Sequence, residues 1–173
     1  RLSMFVRSKK ENSSSPIYTT GICRWYASTR DFLFQNLSYV STNQNKHGSF
    51  IKIGMLIERS IKDKFYCHKE IATYQTAPES DNTLFYRSAG GGYWIAILNR
   101  PFDSETTSNR TASFNALYRA EVFSALLNSS LFWWYYSTNY DLFNFTEGWM
   151  FGCNFTYPIK DLEEALTKLS NQM

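Results

Sequence analysis

With 173 residues, 43% of them hydrophobic, the chain is long enough to bury a core, and its 14 Phe, 12 Tyr and 5 Trp beside 19% charged residues exclude collagen, coiled-coil and low-complexity sequence. No apolar run approaches the roughly 18 residues of a membrane helix, and Arg1 is followed by no apolar leader, as expected of a piece of a larger cytoplasmic protein. The net charge of +3 hides an imbalance: 16 Lys and Arg face 9 Asp and Glu up to Arg119, then 2 face 6 from Ala120 onward, so the N-terminal part is the one suited to a polyanion.

In chain order, residues 2–6 read as a short strand and the Ser-rich stretch 9–16 as a loop. Residues 17–25 are β-prone. Ser28 with Asp31 resembles a capping box, and Leu33, Leu37 and Val40 recur at helical spacing, predicting a helix over 29–39 and a polar connection over 41–48. Ile53, Ile57, Ile61 and Phe65 are spaced by four, predicting an amphipathic helix over 50–65 with Ser49 as its cap. Residues 71–76, 83–87 and 93–98 are short β-branched or aromatic runs, the last two joined by a glycine-rich hairpin loop at 88–92. A polar connection over 101–111 follows.

Ser113 is placed to cap the longest helical pattern, whose stripe runs from Leu117 through Phe123 and Leu131 to Trp134, with Asn128-Ser129-Ser130 as a point of interruption. The run 132–136 is apolar on every side, so a central, covered helix is expected. Residues 140–157 alternate aromatic and polar side chains as an extended segment does. Asp161 and Glu164 form a second capping box for a closing helix, with Leu162, Leu166 and Leu169 inside. Helices mixed with antiparallel strands and no βαβ alternation predict an α+β fold, a single domain with short antiparallel strands packed around a long central helix.

Little here points to self-contained catalysis. The two histidines, His47 and His68, accompany no G-x-S-x-G serine, the phosphate-binding loop pattern is absent, and the run Gly90-Gly91-Gly92 lacks the third glycine of a dinucleotide fingerprint. Cys23, Cys67 and Cys153 are odd in number and far apart, so neither a disulfide framework nor a metal cage is predicted. Six N-x-[ST] triplets arise readily in a sequence so rich in Asn, Ser and Thr, and are discounted.

Basic groups interleaved with aromatics carry the functional expectation: Arg24-Trp25-Tyr26, Tyr86-Arg87 and Tyr93-Trp94, with Lys46, His47, Lys52, Arg100, Asn109 and Arg110 in or beside loops. Arginine and lysine neutralise phosphates, and Arg and Asn also read guanine and adenine edges in the major groove. The expected DNA contacts are Arg87, Tyr93, Arg100, Asn109 and Arg110, with Lys46 and Lys52 on phosphates. The competing expectations are a protein-interaction or assembly module that never touches DNA, and single-strand binding by stacking.

Several segments also occur in a familiar order. Ile22-Cys23-Arg24-Trp25-Tyr26, Arg30-Asp31-Phe32-Leu33-Phe34, Ile51-Lys52-Ile53-Gly54, Leu84-Phe85-Tyr86-Arg87, Gly91-Gly92-Tyr93-Trp94, Leu126-Leu127-Asn128-Ser129-Ser130-Leu131-Phe132-Trp133-Trp134 and Tyr157-Pro158-Ile159 resemble a stretch of type IIG-like restriction-modification adenine-specific DNA methyltransferases. The resemblance covers roughly residues 17–160. It implies the target-recognition (specificity) domain, residues 1–160, which grips double-stranded DNA, with 161–173 starting a helical spacer. That family's catalytic proline-proline loop is missing, since Pro16, Pro78, Pro101 and Pro158 are never adjacent. The resemblance therefore implies no catalytic residue and no metal here, S-adenosylmethionine in an absent catalytic domain, and an upstream methyltransferase domain of the same polypeptide as a partner, with no membrane.

Overall fold

The computed structural model describes residues 16–23, 25–45, 48–77, 81–89, 96–140, 142 and 145–173. The fold is α+β, and the chain divides into two compact units, Arg1–Arg59 and Ser60–Met173, with the boundary inside a helix. The expected strand over 2–6 and all but Pro16 of the expected loop over 9–16 lie outside the described residues.

In the first unit, strands β1 (Ile17–Thr19) and β2 (Val40–Thr42) pair antiparallel, with Tyr18 opposite Ser41. The predicted polar connection over 41–48 therefore begins as a strand. Between the two strands the chain forms 3-10 helices at Ala27–Phe32 and Phe34–Asn36 in place of the expected α-helix over 29–39. The start is set by Thr29, not Ser28: its hydroxyl accepts from Tyr26 N at 3.1 Å and donates to Tyr26 O at 3.2 Å.

The helix expected over 50–65 also starts late. Ile51 and Ile53 are buried with half-buried Lys52 between them, a period of two that marks extended backbone. Thr19 Oγ1 donates to Ile53 O at 3.0 Å. Gly54 then passes so near two other stretches of backbone, just after β1 and just before β2, that a Cβ would lie 2.7 Å from Gly21 N and 2.8 Å from Ser38 O. Helix α1 (Leu56–Phe65) begins only after it, and Glu58 caps it by accepting from Gly54 N at 2.9 Å and Met55 N at 3.0 Å. Ser49, the predicted cap, instead donates its backbone N–H to Asn45 Oδ1 at 2.9 Å.

The second unit is built on a three-stranded antiparallel sheet of β3 (Thr83–Arg87), β4 (Ile97–Leu98) and β5 (Asn109–Ser113), in the order β4-β3-β5. β3 matches its predicted span. The hairpin partner is paired as expected at Phe85–Leu98 and Tyr86–Ile97, while the glycine-rich turn itself lies outside the described residues. β5 falls where a polar connection was predicted. It is a strand because it pairs with β3 along its whole length, from Thr83–Ser113 to Arg87–Asn109, and buries Ala112 and Ser113. Residues 71–76, expected as a strand, instead form a 3-10 turn at Ile71–Tyr74 that buries Ile71 and Tyr74.

Leu84 and Tyr86 of β3 face the core, where helix α2 (Ala120–Leu127) packs on the sheet with every residue but Glu121 buried. Ser113 does not cap it. Asn82, 38 residues upstream, accepts from Ala120 N at 2.8 Å, while its amide nitrogen donates to the carbonyls of Phe114, Asn115 and Tyr118. The long helical pattern breaks at Asn128, whose amide donates to Ile97 O at 2.7 Å, and restarts at α3 (Ser130–Asn139) with Ser129 Oγ accepting from Phe132 N. Phe132, Tyr135 and Tyr136 are buried, whereas Leu131 and Trp133 are exposed, so α2 rather than α3 is the covered helix.

The segment predicted as extended over 140–157 contains helix α4 (Glu147–Phe151), with Trp149 stacked on Tyr140 at 4.5 Å, and returns to an isolated bridge between Asn154 and Glu70. The closing helix α5 (Lys160–Ser170) lies against α2. Its predicted inner residues Leu162 and Leu169 are exposed. Its first turn is held by Glu163, which accepts from Tyr157 OH at 3.0 Å and pairs with Arg119 at 3.1 Å, and not by the predicted Asp161–Glu164 box.

Candidate nucleic-acid interface

β4 and β5 lie on opposite sides of β3 and run in the same direction, so residues 99–108 form a crossover that returns across the sheet. The side chains of Thr83, Phe85 and Arg87 alternate with those of core-facing Leu84 and Tyr86, and so stand on the outer face. There the Arg87 guanidinium lies 4.5 Å from the Phe102 ring centroid, a cation-π contact between strand and crossover.

Arg87 and Asn109, directly opposite in register, frame this loop. Arg87 Nε donates to Asn109 Oδ1 at 3.2 Å and Arg87 Nη2 to Ser104 Oγ at 2.7 Å. Asn109 Nδ2 donates to Ser104 O at 3.0 Å, and Asn109 Oδ1 also accepts from Thr106 Oγ1 at 2.9 Å. Both lone pairs of that oxygen are thus engaged, and two of the five Arg87 donors are spent inside the loop. Ser88 N closes the structure by donating to Ser108 O at 3.0 Å.

Arg110, one residue further along, belongs to the opposite face of the sheet, beside Tyr86. It is exposed, and its Nη1 donates to Thr107 O at 2.8 Å and Asn109 O at 2.7 Å. The ladder bonds of Ser88 to Ser108 and Phe114 to Asn82 fix the alternation, so the Asn109 carbonyl points to the open edge of β5 and Arg110 folds over it. Arg100, at the start of the crossover, is exposed and makes no hydrogen bond or ion pair with another described residue. Its neighbour Asn99 donates to Asn171 Oδ1 at 2.8 Å, anchoring that end to the C-terminus of α5.

Of the seven expected contacts, the structure brings together Arg87 and Asn109 as a bonded pair, with Arg110 adjoining on the other face and Arg100 at the far end of the crossover. Lys52 belongs to the first unit, half-buried between Ile51 and Ile53. Tyr93 and Lys46 lie outside the described residues. Of the associated aromatics, Tyr86 is core and Trp25 is exposed beneath Arg30, whose guanidinium carbon is 4.9 Å from its ring centroid. Sequence reasoning missed Phe102, Ser104 and Thr106, whose roles arise only once the register of β5 is known. It also passed over Asp103 and Glu105, exposed carboxylates on the crossover between the two exposed arginines.

Elsewhere in the second unit a part-buried hydroxyl chain links Tyr135 to Tyr140 at 2.9 Å and to Trp149 O at 3.2 Å, and burial raises the Tyr135 and Tyr140 phenols above their ordinary range. Burial likewise pushes the Cys153 thiol up. Among the described residues no three His, Cys, Asp or Glu side chains are grouped to hold a metal ion. No protein-family model, curated protein or solved structure matches this chain.

Proposed function

We propose that this chain recognises double-stranded DNA as the non-catalytic specificity part of an adenine-specific DNA methyltransferase, with S-adenosylmethionine chemistry left to a catalytic domain elsewhere in the polypeptide. The observation that carries the reading is the crossover loop: a connection held by the Arg87–Asn109–Ser104 bonds that presents Arg100, Asp103 and Glu105 to solvent, with Arg110 exposed next to it in β5. Arginine donates to guanine O6 and N7, and carboxylates accept from cytosine N4, so a mixed-sign loop suits base edges better than phosphates. Arg87 and Asn109 then act by positioning the loop. Phosphate neutralisation falls to the basic surplus of residues 1–59, Lys46 and Lys52 included.

The test is selection from a random duplex library with the 173-residue chain, followed by titration of the enriched duplex at several salt concentrations. A defined motif is expected, with affinity falling steeply as salt rises. Arg110→Ala is expected to cost about 5- to 150-fold on that duplex and to relax one position of the motif. Absence of both enrichment and salt-sensitive duplex binding sinks the reading.

A second reading, an assembly module without direct DNA contact, has its own observation: Met55, Leu56 and Ile57 are three consecutive exposed apolar residues at the start of α1. It is favoured over the first if the chain shows no duplex binding but associates saturably with the methyltransferase domain.

A further inference from the structure

Helix α5 carries four apolar side chains, Leu162, Ala165, Leu166 and Leu169, and turns three of them outward. The side chains turned inward are Glu163, Leu166, Thr167 and Ser170, half-buried or buried where the helix lies against α2. At 3.6 residues per turn, Leu162, Ala165 and Leu169 fall within an arc of about 60° beside that inner face, with Leu162 51% and Leu169 49% exposed. Spacing by three and four residues is that of a seam between helices, and the core of the second unit leaves this one uncovered.

Charge determines what fits it. Asp161 and Lys168, seven residues apart, both stand on the flank of the seam away from α2. Both side chains are exposed, and neither is hydrogen-bonded or ion-paired to another described residue. In an antiparallel pair of identical helices each flank meets its own copy, so Asp161 of one chain comes opposite Lys168 of the other, and the contact recurs across the two-fold axis. That axis passes beside Ala165, midway between Leu162 and Leu169, so Leu162 of one chain meets Leu169 of the other and the small side chain lets the backbones approach. A parallel pair sets this flank against the opposite one, where Leu166 is in register with Asp161, and leaves both charges unmatched.

We infer that this face of α5 is an interface between two copies of the chain, an antiparallel two-fold helix pair with Leu162, Ala165 and Leu169 at its centre and reciprocal Asp161–Lys168 ion pairs along one side. The patch is small, so the association is weak and reversible rather than obligate. It uses no residue of the crossover loop and does not rest on the DNA reading.

The experiment is sedimentation velocity of the 173-residue chain over a concentration series up to about 1 mM, which reaches weak association. A monomer–dimer equilibrium is expected. Leu169→Ala removes its side chain twice from a two-fold contact and is expected to weaken the dimer by about tenfold or more, with an unchanged circular dichroism spectrum because Leu169 lies outside the core and alanine favours the helix. Asp161→Lys and Lys168→Asp each set like charges opposite one another twice, and each is expected to weaken the dimer by about fivefold or more at low salt. An equimolar mixture of those two variants brings unlike charges together again and is expected to associate as the parent does. Three results overturn the inference: a chain that stays monomeric throughout the series, a dimer that Leu169→Ala leaves intact, or charge variants that keep the parent affinity or whose mixture fails to recover it. No arm contains DNA, so the outcome is independent of duplex recognition.

Discussion

Asn82 ties two segments of the second unit together with one side chain. One side chain accepts from the first N–H of α2 and donates to the carbonyls of the segment that leads into it, so it fixes where the central helix starts relative to β3. Asn82→Ala removes a cap and leaves half-buried groups without partners, and is expected to lower the unfolding free energy by about 2–3 kcal/mol, read from the denaturant midpoint. A change below about 0.5 kcal/mol, within the range of an ordinary surface substitution, contradicts that role. Nothing local announces Asn82 as a cap, because its partner is distant in sequence and capping signals are read from neighbours. Ser113 carries the local signal, and the structure spends it in β5 opposite Thr83.

Elements were legible where burial and pattern coincide within a few residues. Thr83–Arg87 is a short β-branched and aromatic run between turn residues, and its strand can be read directly from that composition; the alternation of half-buried and buried side chains follows in the structure. Asn109–Ser113 has no such pattern, since Arg110 belongs to the core face yet is exposed beyond the end of the core; its strand character comes from the pairing partner. The residue types of the candidate site were equally plain, but not the bonding of Arg87 with Asn109, which depends on that register. The segment Leu126-Leu127-Asn128-Ser129-Ser130 acquires a physical meaning here: Asn128 satisfies the backbone of edge strand β4, and Ser129 caps the next helix. Ser129→Ala is expected to cost about 1 kcal/mol, a typical cap loss, and to speed amide hydrogen exchange in the first turn of α3 while leaving α2 unchanged. Equal acceleration in both helices argues that they form one cooperative element despite the break.

At the scale of the molecule the aromatic surplus divides by unit, into a packed core of stacked and edge-on rings in residues 60–173 and an exposed set on the first unit. The core carries a pH signature. Burial pushes the Tyr66, Tyr86 and Tyr157 phenols up to about 12 and raises those of Tyr135 and Tyr140, against about 10 in an unfolded chain. Above pH 10 the unfolded state loses phenolic protons that the native state keeps, so the native state binds more protons and stability falls as pH rises. The denaturant midpoint is expected to hold steady from neutral pH to about 9 and to drop between about 10 and 12; a midpoint unchanged at about pH 11 refutes the burial account. The Arg110 side chain, folded over the free carbonyl of β5, has a consequence of another kind. The far end of that edge is covered, since Thr76 N donates to Ser113 O at 3.1 Å; a bare strand edge invites the same edge of another copy, and at the Asn109 end the arginine is a steric and electrostatic guard against that pairing. Under the proposed duplex reading, DNA that draws this guanidinium away uncovers the edge only while the nucleic acid itself occupies the space.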